Sequence, residues 1–199
     1  MILKVFIWGA LSAIPAVFIE LGFFEFSLPT LINIFAGVAL VEEVLKYIVV
    51  KVRVFFLSIR ELDEPLDIML YFVIAALGFA TLENMLLFLS PDVLTLGLRD
   101  TFALASFRFI SATFLHALAS GVLGFFLALS YSEMKKRTLF TSAGFFTAVL
   151  LHGLYNRAIM IEDIYTAFSV TALLIAASAV FVLWAFRKLK KMPSVCLPR

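Results

Sequence analysis

Residues 68–89 read IMLYFVIAALGFATLENMLLFL. The hydrocarbon core of a bilayer is about 30 Å thick and needs roughly 20 helical residues to cross it, so this run has the length of one membrane-spanning helix. It also contains Glu83 and Asn84. Polar side chains are costly at such a position and usually serve a function. The stretch therefore predicts a membrane helix that carries part of a functional site.

The rest of the chain shows the same apolar character. Of its 199 residues, 63% are hydrophobic and 15% are charged, against roughly 25% charged in a soluble domain, and the mean hydropathy is +1.08. Apolar runs of spanning length, bounded by charges, Pro or Gly, lie at 2–24, 28–50, 68–89, 98–131, 138–159 and 164–186. We expect one all-α domain over 1–199, a polytopic transmembrane bundle of about six helices.

The distribution of Lys and Arg predicts the orientation of this bundle, because short loops rich in these residues stay in the cytoplasm. The loops after the second and fourth runs and the tail are basic: Lys51, Arg53, Arg60, Lys135, Lys136, Arg137, Arg187, Lys188, Lys190, Lys191 and Arg199. The opposite loops contain only Arg99 and Arg157. Both termini are therefore expected in the cytoplasm. A single cysteine, Cys196, excludes an intrachain disulfide.

Four short islands place polar residues inside otherwise apolar runs, and together they define a core of about 36–157. They read VEEVLKY (41–47), GFATLEN (78–84), LHALASGVLG (115–124) and LHGLYN (151–156). The candidate catalytic residues within them are Glu42, Glu43, Glu83, His116, His152 and Asn156. These six residues lie on four different predicted helices, so a shared site would require the bundle to bring the helices together.

The first island combines two carboxylates with one ammonium group. Residues four apart share a helix face, so Glu42 and Lys46 can pair, while Glu43 points about 100° away. One acid is then left without a partner, and an acid in apolar surroundings is a candidate general base or general acid. The alternative is a simple Glu–Lys pair near the membrane interface.

In the second island, Glu83 and Asn84 have no charged partner within one turn of their own helix. Partners must come from other helices, which leaves the two histidines, Lys46 or Arg108. Lys46 and Arg108 are therefore expected to balance the charge of the carboxylates.

The third and fourth islands carry the histidines. His116, Ser120 and Gly124 recur every four residues, and such a stripe with small residues is expected to face the bundle interior. His152 and Asn156 share a face by the same spacing. A single buried histidine is often only hydrogen-bonded to a backbone carbonyl, so each ring alone is weak evidence for a site.

Taken together, the islands favour hydrolysis by an activated water molecule. Glu42, assisted by Glu43 or Glu83, would accept a proton from water, and Asn156 would donate to the developing oxyanion. His116 and His152 would orient the water or bind a metal ion. A zinc site built from His116, His152 and Glu83 would have enough ligands. The spacing leaves the metal-bound and metal-free versions open.

The ordered set of motifs resembles the PrsW family of intramembrane proteases, within a larger group that includes the type II CAAX prenyl endopeptidases and Abi-type proteins. It comprises Glu42-Glu43-x-x-Lys46, Gly78-Phe79-Ala80-x-x-Glu83-Asn84, Arg108 with His116, and His152-x-x-x-Asn156. The resemblance implies a multi-pass peptidase of the cytoplasmic membrane that cuts membrane-anchored protein substrates, with site-1-type cleavage of regulators such as anti-sigma factors. Glu83 stands where the CAAX endopeptidases have a histidine, which weakens a direct transfer of prenyl-protein processing to this chain. A CAAX-type prenyl-protein endopeptidase stays an alternative within the protease interpretation.

Two other functions remain open at this point. Buried Glu and His side chains also serve proton- or ion-coupled carriers, although carriers often show inverted repeats and this chain has no pair of matching halves. A scaffold, or an immunity protein that sequesters a peptide, is the second. The expected partners are a membrane-anchored protein substrate and the lipid bilayer, with no nucleic acid. The sequence does not predict an oligomeric state.

Overall fold

The computed structural model describes residues 1–56, 64–95 and 97–193, and all regular structure in these ranges is helical. The prediction of an all-α bundle of about six helices is confirmed. The predictions that rest on Arg60, Cys196 and Arg199 lie outside the described residues.

The helices follow one another closely along the chain. They are α1 (Ile2–Glu25), α2 (Thr30–Ile32), a π-helical segment (Asn33–Leu40), α3 (Val41–Val50), a second π-helical segment (Lys51–Phe56), α4 (Pro65–Phe88), α5 (Pro91–Leu94), α6 (Leu98–Ser132), a 3₁₀ turn (Met134–Lys136), α7 (Arg137–Ala158) and α8 (Ile164–Leu189). Five of the helices, α1, α4, α6, α7 and α8, are long and apolar enough to cross a membrane.

The predicted second span corresponds to a composite helix over 30–56, in which α-helical and π-helical segments follow without a break. It continues six residues beyond its predicted end at 50. Aromatic rings cover the cations that suggested a loop, since the Arg53 guanidinium lies 3.6 Å from the ring centroid of Trp8. Arg and Lys side chains can cover apolar surface in this way while the helix continues.

A long π-helical segment, Asn33–Leu40, directly precedes the first polar island. π-helical turns are rare, frequently mark functional sites and change which side chains share a face. The segment packs against α7, where Gly153 leaves room for the ring of Phe35. The composite helix is thereby held next to the helix that carries His152.

Helix α4 lies at the centre of the bundle, between α1 and α6. Glycines allow the backbones to approach closely, as is common in membrane bundles. A Cβ atom at Gly78 would meet the carbonyl oxygen of Phe6, and one at Gly124 would lie 2.8 Å from the Cα of Met69. The close contact of α4 with α6 brings the second and third polar islands together.

The bundle has an apolar interior, as soluble proteins do, but much of its outer surface is apolar as well. The polar islands are inside, whereas Phe102 is 75% exposed, Phe109 72% and Leu173 72%. Contiguous exposed apolar surface of this kind fits a lipid environment, which agrees with a multi-pass membrane protein.

Gly78→Ala is expected to lower the free energy of unfolding by about 1–3 kcal/mol, the usual range for overpacking. The added methyl group would meet the backbone of Phe6, which cannot rotate away as a side chain would. Thermal unfolding in detergent measures the effect. Gly22→Ala is the matched control, because a Cβ there meets nothing within 4 Å. Equal unfolding temperatures for the two variants would contradict the close packing of α1 on α4.

Candidate active site

Five polar side chains from three helices meet in the interior of the bundle. Glu42, Glu43 and Lys46 come from α3, His116 from α6 and His152 from α7. Their exposed fractions are 3%, 0%, 0%, 2% and 1%. Burial of so many ionisable groups is costly unless they are paired with one another, and the contacts below show that they are.

Lys46 lies at the centre of this cluster. Its Nζ donates hydrogen bonds to Glu43 Oε1 at 2.8 Å and to Glu42 Oε2 at 3.3 Å. The expectation that Glu43 points away from the Glu42–Lys46 pair is therefore wrong. Residues three apart are also neighbours on a helix, and the long lysine side chain reaches both carboxylates.

Glu43 in turn positions His152. Its Oε1 lies 3.1 Å from His152 Nδ1, and its Oε2 accepts a hydrogen bond from Ser120 Oγ at 2.9 Å. A carboxylate can only accept, so the imidazole proton is assigned to Nδ1. His152 Nε2 then carries a free lone pair, 3.8 Å from Glu42 Oε2.

His116 is held from both sides by charged groups. Its Nδ1 lies 2.9 Å from Lys46 Nζ, and its Nε2 lies 2.8 Å from Glu83 Oε2. An ammonium group has no lone pair, so His116 accepts at Nδ1 and carries its proton on Nε2, facing Glu83. The two rings meet edge to face, with centroids 4.9 Å apart.

Glu83 and Arg108 form the more accessible side of the cluster, with side chains 25% and 17% exposed. Arg108 Nη2 donates to Glu83 Oε1 at 2.8 Å and its Nε donates to Asn84 Oδ1 at 2.9 Å. Asn84 also donates to Thr113 Oγ1 at 3.3 Å. These contacts join α4 to α6 beside the buried histidines, so the site is closed by polar groups on one side.

The family model described as PrsW family intramembrane metalloprotease matches residues 1–185. The chain belongs to the PrsW family. It is 32% identical over 164 residues to Protease PrsW of Geobacillus kaustophilus, an alignment that covers 81% of this chain and 68% of that relative. Protease PrsW of Oceanobacillus iheyensis is 31% identical, covering 78% and 68%, and that of Bacillus subtilis is 29% identical, covering 98% and 84%. No solved structure matches the chain.

Membership in the PrsW family identifies the chain as an intramembrane protease. It agrees with the buried Glu42, His116 and His152, and it favours peptide-bond hydrolysis over the carrier and scaffold alternatives. The resemblance of the motifs to the PrsW family is confirmed.

Three potential metal ligands lie inside the buried cluster. Among the described residues, Glu42, His116 and His152 each offer a ligand atom, and these atoms lie within 4.8 Å of one another. Glu83, the carboxylate that the sequence suggested as a ligand, instead contacts His116 and Arg108. Its role as a ligand stays a prediction.

The remaining predicted residue, Asn156, lies one turn beyond His152 and is half-buried. In the part of the chain that the structure describes, its side chain has no recorded hydrogen bond. Its amide is therefore not committed to a structural role.

Two contributors to the site were not predicted. Ser120 was seen only as a small residue, but it donates to Glu43. Glu20 on α1 is half-buried, and its charge interacts with those of Glu42 and Glu83. The role of Ser120 could have been predicted from its position four residues after His116, on the same helix face. Nothing in the sequence links Glu20 on α1 to the islands.

Proposed function

We propose that Glu42 is the general base that activates water for attack on a peptide bond of a membrane-anchored protein substrate. The observation that carries this proposal is the gap of 3.8 Å between Glu42 Oε2 and His152 Nε2. Both atoms are acceptors, because the proton of His152 lies on the nitrogen that faces Glu43. A water molecule that donates one O–H to each atom is oriented by both.

The hydrolysis then follows from these positions. Glu42 takes one proton as the water oxygen bonds to the carbonyl carbon of the substrate, giving a tetrahedral intermediate. Glu42 returns that proton to the amide nitrogen as the C–N bond breaks and the amine leaves. His152 keeps the water lone pair directed at the carbonyl carbon, and Glu43 and Ser120 keep His152 in place.

Two groups are proposed to stabilise the oxyanion of the intermediate. The ammonium of Lys46 supplies positive charge next to Glu42. The free amide of Asn156, on the same face of α7 as His152, supplies a hydrogen-bond donor. Glu83 and Arg108 fix the ring of His116 and form the accessible side of the site.

The donor set of the cluster fits a zinc ion. Two imidazoles and one carboxylate are a common zinc ligand set with an open position. The ring nitrogens that face away from such an ion are held by carboxylates, His152 Nδ1 by Glu43 and His116 Nε2 by Glu83, as is typical of metal-bound histidines. As the metal-bound alternative to the hydrolysis described above, we propose Glu42, His116 and His152 as the ligands. In that version Glu42 would hold the ion and not act as the general base, and the lone pair of His116 Nδ1 would go to the ion and not to Lys46. A bound zinc ion would polarise the carbonyl and make water more acidic.

Removing one proposed ligand tests the metal site directly. His152→Ala is expected to lower the zinc content of purified protein by about 10-fold or more, because a site with two ligands holds the ion poorly. Elemental analysis of detergent-purified protein measures the metal to protein ratio. Ser130→Ala, a buried polar change at a serine bonded to its own helix, is the control. Equal zinc content in all three proteins, or none in the wild type, would contradict the assignment.

The substrate is proposed to be a membrane-anchored regulator, such as an anti-sigma factor, that is cut at a first site before further processing. The buried position of the cluster and the similarity to proteases of the PrsW family support a protein substrate within reach of the membrane. The basic loops support a location in the cytoplasmic membrane with both termini in the cytoplasm.

A single-span reporter reconstituted in liposomes with the enzyme tests the function. The wild type is expected to cut the reporter, and His116→Ala and His152→Ala are expected to leave it intact, while Ser130→Ala cuts as the wild type does. Proton flux measured in the same liposomes tests the carrier alternative. Flux that depends on His116 without any cleavage, over a broad set of reporters, would overturn the proposal.

A further inference from the structure

A cavity with both polar and apolar walls lies apart from the catalytic cluster, where α6 ends and α7 begins. Its volume is about 270 Å³, and its walls come from the composite helix, α6 and α7. Two cationic side chains line it, Lys51 from the composite helix and Arg137 from the start of α7. The proposed hydrolysis uses neither of them.

Aromatic rings position both cations at the cavity. Lys51 Nζ lies 5.2 Å from the ring centroid of Tyr47, and Arg137 Cζ lies 5.1 Å from that of Tyr131. Both tyrosines line the same cavity. A cation over an aromatic face is weakly stabilised there. Arg137 also interacts with the Tyr131 hydroxyl, which leaves the other guanidinium N–H groups and the Lys51 ammonium for another partner.

No carboxylate belongs to the described lining of this cavity. Neither Lys51 nor Arg137 forms an ion pair with a residue of the described ranges, and the neighbouring Glu133 is paired with Lys136 at 3.0 Å. Two positive charges therefore share a small space without a negative charge from these parts of the chain. Such an arrangement favours an anion.

The wall formed by α7 supplies further hydrogen-bond donors. Thr138, Thr141 and Ser142, in the first two turns of α7, line the cavity. Two cations and three hydroxyls thus surround one space.

We propose that this cavity binds a phosphate group, carried by the headgroup of an anionic lipid or present as free phosphate. A phosphate offers only acceptor oxygens to the donors at the walls. The apolar part of the lining fits the adjoining glycerol and acyl region of a lipid: Phe55 stacks on Tyr131 with centroids 4.8 Å apart, and Leu127 lies beside them. Basic pockets between membrane helices hold anionic headgroups in this manner.

Native mass spectrometry of the full chain, released from detergent with equal amounts of phosphatidylglycerol and phosphatidylcholine of identical acyl chains, tests the lipid source. We expect the wild type to retain phosphatidylglycerol in preference. Lys51→Gln combined with Arg137→Gln is expected to weaken that binding by about 30-fold, from about 1 kcal/mol for each charge. Calorimetric titration of the protein with inorganic phosphate, in phosphatidylcholine nanodiscs, tests the free source.

The matched control is Lys135→Gln combined with Lys136→Gln, which also removes two positive charges, directly before Arg137 along the chain but outside the cavity lining. Thr141→Val keeps every charge and is expected to weaken binding severalfold, so the test does not depend on one variant. Loss in the cavity variants but not in the control, with either probe, supports the site and identifies the source. Equal losses in cavity and control variants, or no preference for phosphatidylglycerol together with no phosphate binding, would overturn it.

Discussion

Glu42→Gln is expected to slow cleavage of a membrane-anchored reporter by about 10³-fold, within the range that a general base contributes. Glutamine keeps the size of the side chain and can still accept a hydrogen bond from Lys46, now 3.3 Å away. It cannot take a proton from water. The loss should therefore appear in the turnover rate, with the unfolding temperature changed little.

The measurement is the initial rate of reporter cleavage in liposomes, with unfolding followed in detergent. Glu20→Gln is the matched control, because it removes one negative charge whose field reaches Glu42 from α1 without belonging to the cluster. We expect less than about a 10-fold effect there, since screening and distance reduce such an interaction. Comparable losses in the two variants would show that Glu42 acts only through its charge, and would remove it as the base.

Much of the fold and the site could be predicted from the sequence. A carboxylate or imidazole inside an apolar run is too costly to expose to lipid, so it is expected to face the interior of the bundle. That constraint selected Glu42, His116 and His152, and the length of the apolar runs predicted the helices that carry them. The ends of the helices were hardest to predict where cations interrupt an apolar run, as at Lys51 and Arg53. The sequence does not reveal that aromatic rings cover these two cations.

The detailed pairing within the site could not be predicted from spacing. Helical periodicity put Glu42 with Lys46 and separated Glu43 from both, yet Lys46 contacts the two carboxylates and His116. Periodicity predicts which residues share a face of one helix. The contacts of Lys46 depend instead on the length of its side chain and on how closely α6 approaches α3. The close packing of α4 and α6 that brings Glu83 to His116 depends on glycines whose partners lie far away in sequence.

Lys46→Met is expected to lower the free energy of unfolding by about 3–5 kcal/mol, as when one partner of a buried ion pair is removed. Lys46 is fully buried and is the ammonium that both Glu42 and Glu43 contact, at 3.3 and 2.8 Å. Methionine fills a similar volume, so the loss is electrostatic and leaves two carboxylates in the bundle interior without that cation. Cleavage should be lost as well, because His116 Nδ1 loses its donor.

Reversible unfolding in detergent measures this loss, and the chain offers a matched control. Lys136 forms an ion pair with Glu133 at 3.0 Å, and these two residues are three apart in the chain, as Lys46 and Glu43 are. The side chains of Lys136 and Glu133 are, however, both more than half exposed. Lys136→Met should therefore cost less than about 1 kcal/mol. Adding Glu43→Gln to Lys46→Met removes one buried carboxylate charge that has lost its cation, and should restore part of the free energy of unfolding. If the double variant were less stable than Lys46→Met, the charge of Glu43 would have other compensation, and Lys46 would matter chiefly for positioning His116.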